Sequence, residues 1–456
     1  MKSSLNDLFA SQVPFGVIMS NNQSKLKAAG VALSLLSANA VADATQTRTP
    51  IAEFKNGFTN EQIRSYRDNY NLPEMLKGED LAVWFSMRTS EVLPTAVLAP
   101  QTKHMPLATS LNPKIGEITA ETKQFGTLSL DEFMTHPQSF AASFIVVHKG
   151  EVVYETYPGM KPTDNHIWMS TAKPWTSLVI DMLINEGKID QEKTIGFYMP
   201  EFKDTDWADI KIIDILDMTP GMNSEENDAT RSDPDSIAIR TFLAEFGMAY
   251  KGEHERVPEV LKDAKSVSKP GSKFEYGSPT TQMLVLLAEA VSNQTFSDYV
   301  NDNIWSNVGS DGPLQFHLSP GGTAIAHGVI SSQLRDLARF GMLYTPSWNK
   351  TSTKQVVTPD MIERIRGGVR DKDFYLSGFD GPQFVSRLND DSMLGNSRQW
   401  DAIWSDGDMW KAGLQSQGLY VSPDKDLVIA FYSTNVPDDS LHRFLRPIAT
   451  SGMFDK

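Results

Sequence analysis

Apolar and polar positions repeat with two different periods along this chain, and the changes of period outline its elements. Ser143-Phe144-Ile145-Val146-Val147-His148 is a nearly unbroken apolar run, Lys149-Gly150 supplies a turn, and Glu151-Val152-Val153-Tyr154-Glu155 returns. That pattern predicts a β-hairpin. The period then lengthens. Trp175, Leu178, Val179, Met182 and Leu183 fall at i, i+3, i+4, i+7 and i+8 and share one face of a helix. Pro174 is tolerated only in the first turn, so this helix is expected to begin at about Ser170, and Glu186-Gly187-Lys188 ends it.

From 186 to about 320 the pattern stays helical. Lys211 to Met218 reads as a short helix stopped by Pro220-Gly221, a polar loop runs from Asn223 to Asp235, and Thr280 to Val291 and Phe296 to Trp305 are apolar helices. Gly321-Gly322 opens a loop, and Ser332 to Leu343 is helical again. Met409 to Ala412, Gly418 to Val421 and Leu427 to Tyr432 then read as strands, with a turn at Pro423-Asp424-Lys425-Asp426. Strands at both ends with helices between predict an α/β (α+β) fold with an inserted all-helical domain. The expected division is a leader over 1–50, an irregular N-terminal wrap over 51–135, an α/β domain from 136–185 and 321–456, and a helical domain over 186–320. A site is expected at the seam, where pockets form.

Composition narrows the chemistry. At 456 residues, with 40% apolar and 22% charged residues, the chain is an ordinary globular one. A net charge of -15 repels phosphate backbones, so no nucleic-acid partner is expected. Cysteine is absent, which removes disulfides, thiolate metal sites and a cysteine nucleophile. The eight histidines include no His-Glu-x-x-His helix; His317 and His327 read as loop or core residues rather than ligands. No run approaches the ~18 apolar residues of a membrane span. Lys25 and Lys27 precede a mildly apolar stretch, with small-x-small cleavage sites at Ala38-Asn39-Ala40 and Ala42-Asp43-Ala44. This predicts a periplasmic or secreted protein; a plain N-terminal extension would leave it cytoplasmic.

Three short pieces carry the candidate chemistry: Ser170-Thr171-Ala172-Lys173, Tyr276-Gly277-Ser278 and Lys411-Ala412-Gly413. Ser-x-x-Lys also occurs from Ser24, Ser266, Ser347 and Ser422, but only Ser170 opens a long amphipathic helix. Positions i and i+3 share a helical face, so the Lys173 amine can reach the Ser170 hydroxyl. A serine needs a neighbour to take its proton, and a buried lysine with lowered pKa can do so. Tyr276 near an ammonium is expected to shed its proton more easily, acting as base for Ser170 and then as acid for the leaving group. Ser278 would hold the lysine or substrate. A glycine at 413 lets substrate approach a strand closely, and the amides of Ser170 and Leu414 could receive an oxyanion. Trp168, Trp410 and the 222–256 segment are candidate pocket walls by proximity. This chemistry calls for no metal or cofactor, only a small-molecule ester or amide substrate; oligomeric state is not legible.

With these residues the chain resembles the serine β-lactamase and penicillin-recognising superfamily, in particular its class C-like esterases and 6-aminohexanoate-dimer hydrolases. Leu216 to Met222, Pro270 to Ser278, Asn303-Ile304-Trp305, Leu334 to Gly341 and Gly413 to Pro423 extend the resemblance over roughly residues 135–450. It implies an antiparallel sheet flanked by helices, with Ser170 as nucleophile and Lys173 and Tyr276 as proton partners. Ser278 stands where β-lactamases carry asparagine, as in the esterases and amidases. The loop from Asn223 to Asp235 lacks the tyrosine that assists amide cleavage in the nylon-dimer hydrolases. The expected activity is therefore a carboxylesterase, followed by an amidase of the 6-aminohexanoate-dimer hydrolase type and then a β-lactamase or D,D-peptidase. A catalytically idle binding or sensor domain of the same fold is the non-enzyme alternative.

Overall fold

The computed structural model describes residues 49–436 and 438–455, so the signal-like segment from Lys25 to Ala44 lies outside the described residues. Eleven strands organise the site: β1 (Thr95–Leu98), β2 (Ala141–His148), β3 (Glu151–Thr156), β4 (His166–Ile167), β5 (Leu314–His317), β6 (Ile330–Ser332), β7 (Gly395–Ser397), β8 (Trp400–Ile403), β9 (Met409–Gly413), β10 (Gln417–Ser422) and β11 (Leu427–Ser433). The main sheet runs β7-β8-β9-β10-β11-β2-β3 in antiparallel order, with a two-residue strand at Ala108–Thr109 added parallel to β3 at its edge. Strand β11 pairs with β2 from Leu427↔His148 to Ser433↔Ala141, which joins the two ends of the chain. Four strands, β1-β5-β6-β4, make a second antiparallel sheet.

The apolar run of β2 is explained by burial on both faces. Ile145 and Val147 pack into one core with Leu337, Phe340, Val428 and Ala430, whereas Phe144 and Val146 join Leu130, Phe133, Phe431 and Leu445 in another. Each such side chain contributes about 1.5–3 kcal/mol by leaving water. The hairpin turns through Lys149 and Gly150, both at positive φ.

Five helices matter for the site: α1 (Pro174–Asn185), α2 (Ile237–Glu245), α3 (Ser278–Ser292), α4 (Leu334–Met342) and α5 (Asp380–Leu388). Three expectations change. The span 186–320 is not all-helical: it ends in β5, which pairs with β1 and β6. The wrap over 51–135 is not irregular throughout: helices span Asn60–Asn69, Leu72–Leu76 and Asp80–Arg88. They escape a periodicity search because they are short, and local capping starts the first two. Thr59 and Gln62 form a reciprocal capping box, and the Asn71 side chain accepts from the Glu74 amide. Their residues Met75, Trp84 and Phe85 pack with Ile167, Met169, Ile325 and Val329. Likewise the loop from Asn223 to Asp235 contains a helical turn, Asp228–Ser232, capped by Asn227.

Candidate active site

Ser170 lies just after β4, where the Trp168 amide donates to the Ile330 carbonyl (2.8 Å). Met169 turns the chain at φ 48°, a region that ordinary side chains rarely occupy. Residues Met169–Ala172 form a 3-10 turn, and Lys173 (φ −54°, ψ −36°) continues it into α1. The α-helix therefore starts at Pro174, and the tighter turn carries the serine.

The Lys173 amine is fully buried and donates to three oxygens: Ser170 Oγ (3.1 Å), Ser278 Oγ (3.1 Å) and the His327 carbonyl (3.0 Å). Ser278 is the first residue of α3. Its amide donates to Glu226 Oε1 (2.6 Å), and the Glu226 amide donates back to the Tyr276 carbonyl (2.8 Å). Only glycine fits between them, because a Cβ on Gly277 would stand 2.5 Å from the Ser224 carbonyl oxygen.

Tyr276 lies close enough to the Ser170 hydroxyl for that group to act on its phenol. The Lys411 ammonium donates to its hydroxyl at 3.3 Å, and the Lys173 and Lys411 nitrogens lie 5.0 and 4.6 Å from the centre of its ring. Lys411 is also paired with Asp401, whose second oxygen accepts from the Ala412 amide (3.0 Å). A Cβ on Gly413 would come within 2.8 Å of the Trp168 carbonyl oxygen, so glycine lets β9 lie against the serine turn. Leu414 follows at the exposed rim, and the turn through Gln415 and Ser416 is tied down by a bond from Gln415 Nε2 to the Met75 carbonyl (2.7 Å).

Burial dominates the electrostatics. With the nearby Lys411 charge, it drives Lys173 down from 10.5 to about 7 against the opposing carboxylates of Glu226, Asp401 and Glu245. It raises Tyr276 well above its ordinary value; Asp401 and Glu226 add to that, and the nearby Ser170 hydroxyl opposes it. The expectation that neighbouring ammonium groups acidify this phenol is thus reversed. Lys411 is lowered by burial, with Asp401 opposing. Burial alone would raise Glu226, but Arg231, Lys173 and Ser278 outweigh it and hold the carboxyl below its usual range.

The fold thus brings Ser170, Lys173, Tyr276, Ser278 and Lys411 into one network, with Gly413 and Leu414 at its edge. Two proposed walls are not walls. Trp168 and Trp410 are fully buried in separate cores, and their indole N–H groups are spent on Ser332 (2.9 Å) and His442 (3.2 Å). Of the 222–256 segment, Ser224 and Glu226 touch the Tyr276–Ser278 turn. The residues missed from sequence are Asp401, Glu226, Glu245 and Asp380, which begins α5. That helix lays Phe384 edge-on against Tyr276 (5.8 Å), and burial lifts Asp380 to about 7. None had a distinguishing sequence signal: Asp401 is one of three acids, with Asp406 and Asp408, in the hairpin before Lys411. Among the described residues no cluster of acids and histidines is arranged to hold a metal ion, and no helix is long and apolar enough to cross a membrane.

The family model described as Beta-lactamase matches residues 129–450. The chain belongs to the beta-lactamase family. It is a serine hydrolase of that family. A 6-aminohexanoate-dimer hydrolase of Paenarthrobacter ureafaciens is 24% identical over 362 residues, covering 79% of this chain and 87% of that protein. A solved Bacillus anthracis structure, provisionally named a 6-aminohexanoate-dimer hydrolase, superposes with a TM-score of 0.67 at 21% identity, over 82% of this chain and 93% of that one. A Bacteroides dorei structure, provisionally named a beta-lactamase, reaches a TM-score of 0.51 at 15% identity, over 68% and 93% of the two chains. These structures share the mixed α/β architecture. The N-terminal helices between residues 60 and 88 precede the part of the chain that the family model matches.

Proposed function

We propose that this enzyme cleaves small carboxylic esters through an acyl-enzyme on Ser170. The observation that carries this reading is the Lys173 amine. It lies 3.1 Å from the serine hydroxyl, with a pKa near 7, and so is partly neutral where it must accept a proton. Ser170 Oγ bonds to the substrate carbonyl carbon and gives its proton to Lys173. The amides of Ser170 and Leu414 receive the oxyanion. Tyr276 is protonated at neutral pH and stands beside the serine, which suits an acid. It gives its proton to the departing oxygen while the ester C–O bond breaks, and the Lys173 ammonium restores it. Lys411, fixed by Asp401, stabilises the charge that develops on the phenol oxygen in between. Water then attacks the acyl carbon and loses a proton to Lys173; the bond from that carbon to Ser170 Oγ breaks, Lys173 returns the proton to Oγ, and the acid leaves.

A second reading is cleavage of small linear amides, favoured by the similarity to the 6-aminohexanoate-dimer hydrolase over most of both chains. Against it stands the loop from Asn223 to Asp235, which contains no tyrosine and instead brings Glu226, with Arg231 against it, to the Ser278 amide. Esters have the better leaving groups, so an amidase would also turn them over. Rates on p-nitrophenyl acetate and butyrate, on the matching anilides and on a cephalosporin separate the readings. The ester reading expects kcat/KM at least a hundredfold higher for esters, and comparable anilide rates would replace it with the amidase. Full turnover by Ser170→Ala would overturn both.

A further inference from the structure

Two buried ionisable side chains perform no step of the chemistry above, although Glu245 is one of the carboxylates that act on the Lys173 amine. Glu245, at the end of α2, is fully buried, and His327 is 2% exposed. The imidazole Nε2 lies 3.0 and 2.9 Å from the two Glu245 carboxylate oxygens. A carboxylate can only accept, so Nε2 carries the proton. Phe242, one turn earlier on α2, stands edge-on to the imidazole at 5.8 Å. Burying such a pair takes two polar groups out of water, and apolar residues of similar volume would often be as stable. Its place beside the lysine suggests a reason for keeping it.

The backbone carbonyl of His327 is the third partner of the Lys173 amine. The other two, Ser170 and Ser278, are hydroxyls that can donate or accept. The carbonyl can only accept. It commits one N–H of the amine, and the nitrogen lone pair is then left to the serines. The segment around it is anchored by backbone bonds from Ile325 to His317 (2.9 Å) and from Val329 to Ile325 (2.8 Å), and by Gln282 of α3 on the Ala324 carbonyl (2.8 Å). The His327 side chain adds a tie to a different element, α2.

We propose that Glu245 and His327 are positioning residues that fix the His327 carbonyl and thereby aim the Lys173 lone pair at Ser170. This rests on the reading that Lys173 takes the serine proton. Loss of the tie frees the segment that carries the carbonyl. The amine then spends part of its time with its lone pair turned away, which slows acylation without altering the surface that binds substrate.

The test uses the full chain with Glu245→Ala, Glu245→Gln and Glu245→Asp, assayed on p-nitrophenyl acetate and with a fluorophosphonate label for Ser170. Glu245→Ala should lower kcat by about 10- to 100-fold, the range for lost supporting contacts, with KM within twofold. The labelling rate should fall in the same proportion. Glu245→Gln keeps an acceptor for Nε2 and should recover most of the rate. If the alanine variant does not fold, Glu245→Asp, one methylene shorter with unchanged charge, should show the loss. Unchanged kcat in the folded variants, or a kcat loss with no matching loss of labelling, overturns the inference. Turnover by Ser170→Ala brings down the underlying reading instead; an inactive Ser170→Ala beside a fully active Glu245→Asp sinks only the positioning role.

Discussion

Lowering the pH should switch this enzyme off along a limb set by Lys173. Burial and Lys411 take that amine from 10.5 to about 7, which corresponds to ~5 kcal/mol in favour of the neutral form. In the proposed mechanism the neutral amine is the base, so kcat/KM, which reports the free enzyme, should reach a plateau above about pH 8. Below pH 7 it should fall tenfold per pH unit. At pH 5.5 only about 3% of the amine is neutral, a roughly 30-fold loss. The assay is p-nitrophenyl acetate hydrolysis from pH 5 to 9, with the Ser170→Ala rate subtracted. An unshifted lysine would give a rate still climbing tenfold per unit at pH 9. That result, or a profile flat down to pH 5, would refute the claim that burial makes Lys173 the base.

Other outcomes follow from the same contacts. Glu226 favours the Lys173 ammonium, so Glu226→Gln should move the acid limb to lower pH, read from the same profile. Folding depresses the Lys173 pKa, so the unfolded chain binds a proton that the native state resists; the stability lost this way is greatest below pH 7 and regained as pH rises toward 10.5. Lys173→Met should therefore raise stability by up to ~4 kcal/mol at pH 6 to 7, and urea titrations should find the gain shrinking by pH 10. Gly413→Ala places a methyl 2.8 Å from the Trp168 carbonyl oxygen. It should lower kcat by about 100-fold by displacing the oxyanion amide, while circular dichroism shows the fold retained.

Local pattern alone determined the β2–β3 hairpin and the body of the helix over Pro174–Asn185, though not its start, and singled out the three short segments that the fold brings together. Hairpins and amphipathic helices are written in residues a few positions apart, and a Ser-x-x-Lys pair needs only a turn of helix to meet. The short N-terminal helices were invisible because each has too few turns for a periodic face to stand out, and caps begin two of them. Trp168 and Trp410 looked like walls because nearness in sequence says nothing about which way a side chain faces. The rest of the site was decided by tertiary contact. Lys173 meets Ser278 across 105 positions and the His327 carbonyl across 154. The carboxylates of Asp401, Glu226 and Glu245 arrive from three other elements. A proton's affinity for a group depends on how much water surrounds it and which charges lie within a few ångströms. Neither quantity exists until the chain is packed, which is why sequence could name the lysine and the tyrosine but had the direction of the tyrosine's shift backwards.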